Sequence, residues 1–193
     1  MKKSTIILIV VVVALFIWGM MGYNKMVSME EGVQTKWANV ETQYQRRADL
    51  IPNLVNTVKG YAAHEQSTLQ AVIEARSKAT QVTVDPTNLT AEKMAEFQQA
   101  QNNVSSALSK LLVVVEKYPD LKANQNFLEL QAQLEGTENR IAVARNDFNA
   151  VAKDYNTTVR RFPNNIVAAI FGFEKKDYFK ADEGSQNAPK VEF

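Results

Sequence analysis

The stretch from Asn126 to Phe162 constrains this chain more than any other. Apolar or small residues recur at Phe127, Leu130, Leu134, Ile141, Ala144, Phe148, Val151, Tyr155 and Phe162, with Thr137 and Thr158 filling the gaps. The steps alternate three and four for about five heptads, which demands one long helix with neighbours packed along its length. Gly and Pro are scarce, at 7 and 5 of 193 residues, as in a mostly helical chain with few turns. There is no Cys, which excludes thiolate zinc sites and Cys nucleophiles. The formal net charge of +1 lacks the basic excess of a nucleic-acid footprint, so no nucleic-acid partner is expected.

A second feature sits at the front. Ile6 to Met21 is uninterrupted apolar sequence apart from Gly19, and residues 4–23 together make a helix of about 30 Å, enough to cross a bilayer core. Trp18 and Tyr23 lie toward one end, where interfacial aromatics belong. Lys2 and Lys3 also fit a signal peptide, but the apolar run is too long for a typical h-region and no small-x-small cleavage pattern follows. A retained single-pass anchor is the reading, with residues 1–3 as its positive N-terminus and the lipid bilayer as its partner. Lys2, Lys3 and the amino terminus against Lys25 and then Lys36 lean toward a body outside the cytoplasm, without excluding the cytoplasmic orientation.

Between these features the seam recurs twice. Val33, Trp37, Val40, Tyr44, Ile51, Leu54, Val58 and Tyr61 step by threes and fours past Pro52, which predicts a kinked helix continuing from the anchor. With Leu69, Val72, Ile73 and Ala79 it reads as one helix over 24–80, although Glu65 and Thr68 weaken the seam beyond Tyr61 and Gly60 offers a place to break it or fold it back. Thr90 is an N-cap for the next, whose stripe is Met94, Phe97, Val104, Leu108, Leu111, Val115 and Tyr118, with Gln101 its lone polar entry. Pro119 ends that helix, and Pro119 to Asn124 reads as a short loop.

The expected fold is therefore all-α. An N-terminal transmembrane helix continues into an antiparallel up-and-down bundle of three long helices, followed by a short apolar helix. Residues 24–173 form the bundle and 174–193 a polar tail expected to be disordered. The three helices would run to about 85, 42 and 58 Å. That mismatch leaves Trp37, Val40 and Tyr44 without an obvious partner inside the chain and suggests oligomer contacts.

Several segments together resemble the LemA family of membrane-anchored bacterial proteins. They are Arg46-Arg47-Ala48-Asp49-Leu50-Ile51-Pro52-Asn53-Leu54-Val55, Tyr118-Pro119-Asp120-Leu121-Lys122-Ala123-Asn124, Leu134-Glu135-Gly136-Thr137-Glu138-Asn139-Arg140-Ile141 and Tyr155-Asn156. Phe162-Pro163 through Gly172-Phe173 to Tyr178-Phe179 completes the set. The resemblance implies an N-terminal transmembrane helix, an up-and-down helical bundle and a place in the bacterial inner membrane. It also implies a short external N-terminus and a cytosolic body, against the charge reading. It brings no activity with it.

Arg47 occupies a seam position between Tyr44 and Ile51, so it must snorkel or find a carboxylate. An interhelical salt bridge between Arg46 or Arg47 and Glu135 or Glu138 is expected, with Gly136 permitting close approach. His64 is the only histidine and reads as a surface residue near a bend. Asp147, Asp154 and Glu138 lack the Glu-x-x-His pairs of a carboxylate-bridged metal bundle, and without a His base no conventional triad forms. Neither an enzyme nor a cofactor or metal is expected. The interaction candidates are Ile166, Val167, Ile170, Phe171 and Phe173, with Tyr178 and Phe179. Subunit contact ranks ahead of lipid contact for them, because the segment lacks a basic face. Val191-Glu192-Phe193 resembles a strand-addition ligand only weakly.

The leading function is a non-enzymatic, membrane-anchored scaffold that self-associates and presents its bundle to an envelope protein partner. The alternative is a monomeric accessory module recruiting a membrane protease or signalling protein.

Overall fold

The computed structural model describes residues 3–180. The first helix, α1 (Lys3–Tyr61), is a single element of 59 residues, so the apolar span and the first body helix share one backbone. Ile6 to Met21 project mostly exposed apolar side chains. From Met26 the helix turns one stripe inward: Met26, Val33, Trp37, Val40, Tyr44, Arg47, Ile51, Leu54 and Val58 are buried. Pro52 lies on the exposed side and α1 runs through it.

The expected helix over 24–80 is broken. α1 ends at Tyr61, and residues 62–65 turn the chain into α2 (Gln66–Gln81). Nothing in Ala62-Ala63-His64-Glu65 forbids a helix by propensity, so contacts at the tip decide. Ala62 is buried in the core, the Tyr118 hydroxyl donates to Glu65 Oε1 at 3.1 Å, and Asn124 Nδ2 donates to the Tyr61 hydroxyl at 2.9 Å. The single expected helix is thus replaced by α1 of 59 residues and α2 of 16.

Each later boundary has a local cause. In α3 (Ala91–Val115), Thr90 Oγ1 accepts from the Lys93 N–H at 3.4 Å, the expected N-cap. The expected loop after it contains one helical turn, α4 (Pro119–Lys122), with Pro at its first position, where a missing N–H costs nothing. Asn124 caps α5 (Gln125–Arg160), its Oδ1 accepting from the Phe127 N–H at 3.0 Å. A short final helix, α6 (Asn164–Phe171), closes on Gly172 at φ 76°, a left-handed position that suits glycine.

Residue pairs fix how these elements meet. A Cβ on Gly32 would sit 3.6 Å from Val151, Lys36 Nζ pairs with Asp147 at 2.8 Å, and Arg47 pairs with Glu138 at 2.7 Å. Along α1 the numbers rise while those of α5 fall. On α3 they rise together, from Phe97 against Trp37 to Tyr118 beside Glu65. The apolar interior divides in two. One cluster, nearer the span, gathers Met26 to Tyr44, Ile141 to Val159 and Phe179; the other gathers Ile51 to Ala79, Val104 to Val115, Leu121, Phe127 and Leu134.

Trp37, Val40 and Tyr44 therefore have partners within the chain, and the inference of oligomer contacts from them is corrected. Trp37 is fully buried, with the rings of Phe97, Phe148 and Phe179 at 5.2, 5.6 and 5.7 Å. Gly136 is not a point of close approach, since a Cβ there would meet nothing within 4 Å. Gly22 and Gly32 fill that role on α1.

Candidate functional site

Two polar exceptions in the apolar seams find each other in the middle of the body. Arg47, only 2% exposed, donates from Nη1 to Glu138 Oε1 at 2.7 Å and Ser105 Oγ at 2.9 Å. Its Nη2 donates to the Gln101 side-chain Oε1 at 2.7 Å and the Gln101 carbonyl at 3.1 Å. A buried guanidinium needs this kind of satisfaction, because an unpaired charge in an apolar interior costs several kcal/mol. The layer lies between the two apolar clusters and joins α1, α3 and α5. Arg46 and Glu135, the other candidates for this ion pair, stay on the surface, where Glu135 accepts from Gln131. An open cleft beside the layer, lined by Glu41, Tyr44, Arg46, Arg76 and Phe97, encloses roughly 860 Å³. Both terminal nitrogens of Arg47 are already committed, so the layer ties helices together and offers this cleft no spare donor from them.

A second polar knot lies nearer the span, and the sequence reading missed it. Residues 174–180, expected to begin the disordered tail, are held with Phe173 as a strap across the body, with Lys176 and Phe179 buried. Lys176 Nζ pairs with Glu30 Oε1 at 2.7 Å and donates to the Thr87 carbonyl at 2.8 Å. Its backbone N–H donates to Asn156 Oδ1 at 2.8 Å, while Asn156 Nδ2 donates to the Lys176 carbonyl at 2.7 Å. The next asparagine along α5 repeats the device. Asn149 Oδ1 accepts from the Phe179 N–H at 2.9 Å, and its Nδ2 donates to the Phe179 carbonyl at 3.0 Å. The readable signal was Asn149 and Asn156, two amides seven residues apart on the long helix, suited to holding an extended backbone. Burial, and then the charges of Glu30 and Glu174, push the nearby Tyr155 phenol above its ordinary range, so it stays neutral. Residues 181–193, with Val191-Glu192-Phe193, lie outside the described residues.

The interaction candidates divide sharply. Val167 and Phe179 belong to the core, which withdraws them as contacts for a partner, and Phe173 is half-buried. Tyr178 is 41% exposed, and its hydroxyl accepts from Asn156 Nδ2 at 2.9 Å. Ile166, Ile170 and Phe171 remain exposed, together with Phe162 just before the helix. This surface sits against the end of the span. A Cβ on Gly22 would meet Asn164 Oδ1 at 3.6 Å and Val167 Cγ2 at 3.7 Å, and the Tyr23 ring lies 4.8 Å from Phe171 and 5.6 Å from Phe173. His64 is exposed in the turn between α1 and α2. Among the described residues, no three His, Asp or Glu side chains gather as a metal site.

Among the described residues one helix is long and apolar enough to cross a membrane, and it runs on into a helical body, the pattern of a membrane-associated helical protein. The chain belongs to the LemA family, whose model matches residues 36–193. It is similar to Magnetosome protein MamQ 1 of Paramagnetospirillum magneticum, at 30% identity over 91% of this chain and 71% of that one. Magnetosome protein MamQ of Magnetospirillum gryphiswaldense is 29% identical over 83% of this chain and 65% of its own length. Protein LemA of Metamycoplasma hominis is 23% identical over 83% of this chain and 69% of that protein. The family match begins at Lys36, past the span.

Proposed function

We propose that this protein is a non-enzymatic scaffold anchored in the bacterial inner membrane by residues 4–23, which self-associates and presents an antiparallel up-and-down bundle to an envelope protein partner. One observation carries this reading: α1 is unbroken from Lys3 to Tyr61, so the anchor enters the body as its central packing element rather than through a linker. A helix this continuous transmits the position of the anchor to the bundle. The polar layer at Arg47 and the knot at Lys176 serve the same end by holding helices and strap in one register. Lys2, Lys3 and the amino terminus against Lys25 and Lys36 favour an external bundle.

One experiment reads both finer points. Spheroplasts carrying the full chain are treated with a membrane-impermeant amine-reactive cross-linker or with its permeant analogue. A ladder of multimers with both reagents is expected. A ladder with the permeant reagent alone would keep self-association and reverse the orientation. Monomers under both would contradict self-association and leave the accessory module that recruits a membrane protease or signalling protein. Deleting residues 166–193 would be a poor substitute, because it strips Val167, Lys176 and Phe179 from the interior.

A further inference from the structure

The exposed apolar face of α6 has a definite position relative to the span. A Cβ on Gly22 would meet Asn164 and Val167, the rings of Phe171 and Phe173 pack on Tyr23, and Trp18 packs against the cluster that contains Val167 and Ala168. α6 is thus level with residues 18–23, the last turn and a half of the apolar stretch. Its buried face uses Val167 and Ala168. On its other side Ile166 and Ile170, one helical turn apart, are 48 and 70% exposed, with Phe171 at the helix end 58% exposed and Phe162, in the turn just before the helix, 75% exposed. The spacing of four puts Ile166 and Ile170 on one helical face, and Phe162 and Phe171 extend the exposed apolar surface at the two ends of α6.

α6 carries no basic residue, which the sequence reading counted against lipid contact. The fold supplies them from its neighbours. Arg160 and Arg161 are exposed immediately before Phe162, and Lys25 is exposed two residues past Tyr23. Cations beside an apolar stripe suit the boundary between acyl chains and anionic headgroups.

We propose that α6 lies on the bilayer surface as a second membrane contact, with Phe162, Ile166, Ile170 and Phe171 inserted at the acyl boundary. The occupant of this face is lipid, because the face continues the apolar surface of the span without a break in height. The inference rests on residues 4–23 crossing the bilayer. Together the two contacts would fix the tilt and rotation of the bundle, which one helix alone leaves free.

The chain has no Cys, so single-cysteine variants of the full-length protein can be labelled cleanly. Ile170→Cys, Ile9→Cys and Val143→Cys each receive an environment-sensitive fluorophore and are reconstituted into vesicles with nitroxide-labelled lipids. Val143 is 61% exposed on α5 and lines a cleft with Lys36, Asn39 and Gln43, well past the span along α1, so it reports the body. Strong quenching is expected at 170 by headgroup and shallow-acyl nitroxides, at 9 by deep-acyl nitroxides, and little at 143. A label at 170 open to aqueous iodide and untouched by lipid nitroxides would overturn the proposal. So would a label shielded from both, which would mean a protein covers α6. If 9 were unquenched the anchor reading itself would fail, a result distinct from failure at 170 alone.

Discussion

Arg47→Ala is expected to destabilise the body by about 2–5 kcal/mol, the usual cost of emptying a large buried site and leaving a buried polar partner unsatisfied. Arg46→Ala should change stability by under about 0.5 kcal/mol, as for a surface substitution away from special features. The two arginines are neighbours in sequence and differ in where the helix points them. Losing Arg47 strands the Gln101 side chain, itself buried, and opens a cavity between two apolar clusters. Arg47→Met should cost less than Arg47→Ala, because it keeps most of the volume and removes the need for charge pairing. Glu138, 44% exposed at its side chain, can be rehydrated on losing its partner, so the penalty lies mainly on the Arg47 side. Urea unfolding of the full chain in detergent, followed by far-ultraviolet circular dichroism, measures all three. Equal midpoints for the Arg46 and Arg47 variants would contradict the polar layer.

Trp37→Ala is the second large effect, at about 3–5 kcal/mol for emptying a large aromatic site in a packed interior. Its consequence should also be local. The Trp37 ring lies nearly parallel to Phe179, at 11° and 5.7 Å, and Phe179 is the strap residue that closes the cluster. Without the indole the strap loses its apolar seat, while Asn149 and Asn156 keep their backbone hydrogen bonds. Hydrogen exchange in residues 173–180 should therefore accelerate more than exchange near the tip at Tyr61 and Asn124. Uniform acceleration across the chain would instead mean that Trp37 stabilises the body as a whole and does not seat the strap.

Much of this interior was readable because a heptad stripe reports burial directly. Phe127, Leu134, Ile141, Phe148 and Tyr155 were picked from spacing alone, and all are buried, as is Thr137, which fills a gap in the stripe; Leu130, Ala144 and Val151 are half-buried, and Phe162 falls past the end of α5 and is exposed. Val33, Trp37, Val40 and Tyr44 were also found, but their partners were not. Periodicity says that a face is covered and not by what. The break after Tyr61 was only half visible: Gly60 pointed to it, but residues 62–65 are acceptable in a helix, and the contacts that hold the turn come from Tyr118 and Asn124, more than fifty positions away. The Lys176 knot was less visible still, since Glu30, Thr87, Asn156 and Lys176 share no spacing rule. The Arg47 layer stood between. Arg47 and Gln101 were each noticed as polar intrusions in a seam, and two such intrusions at matching depth are a signal that they meet.

The central claim is that the anchor stays with the body and holds it in the membrane. Intact mass of the protein recovered from carbonate-washed membranes tests this most directly. The predicted result is a species of 21.7 kDa retaining residues 1–23 in the membrane pellet. A species truncated after the apolar stretch, released into the carbonate wash, would contradict it.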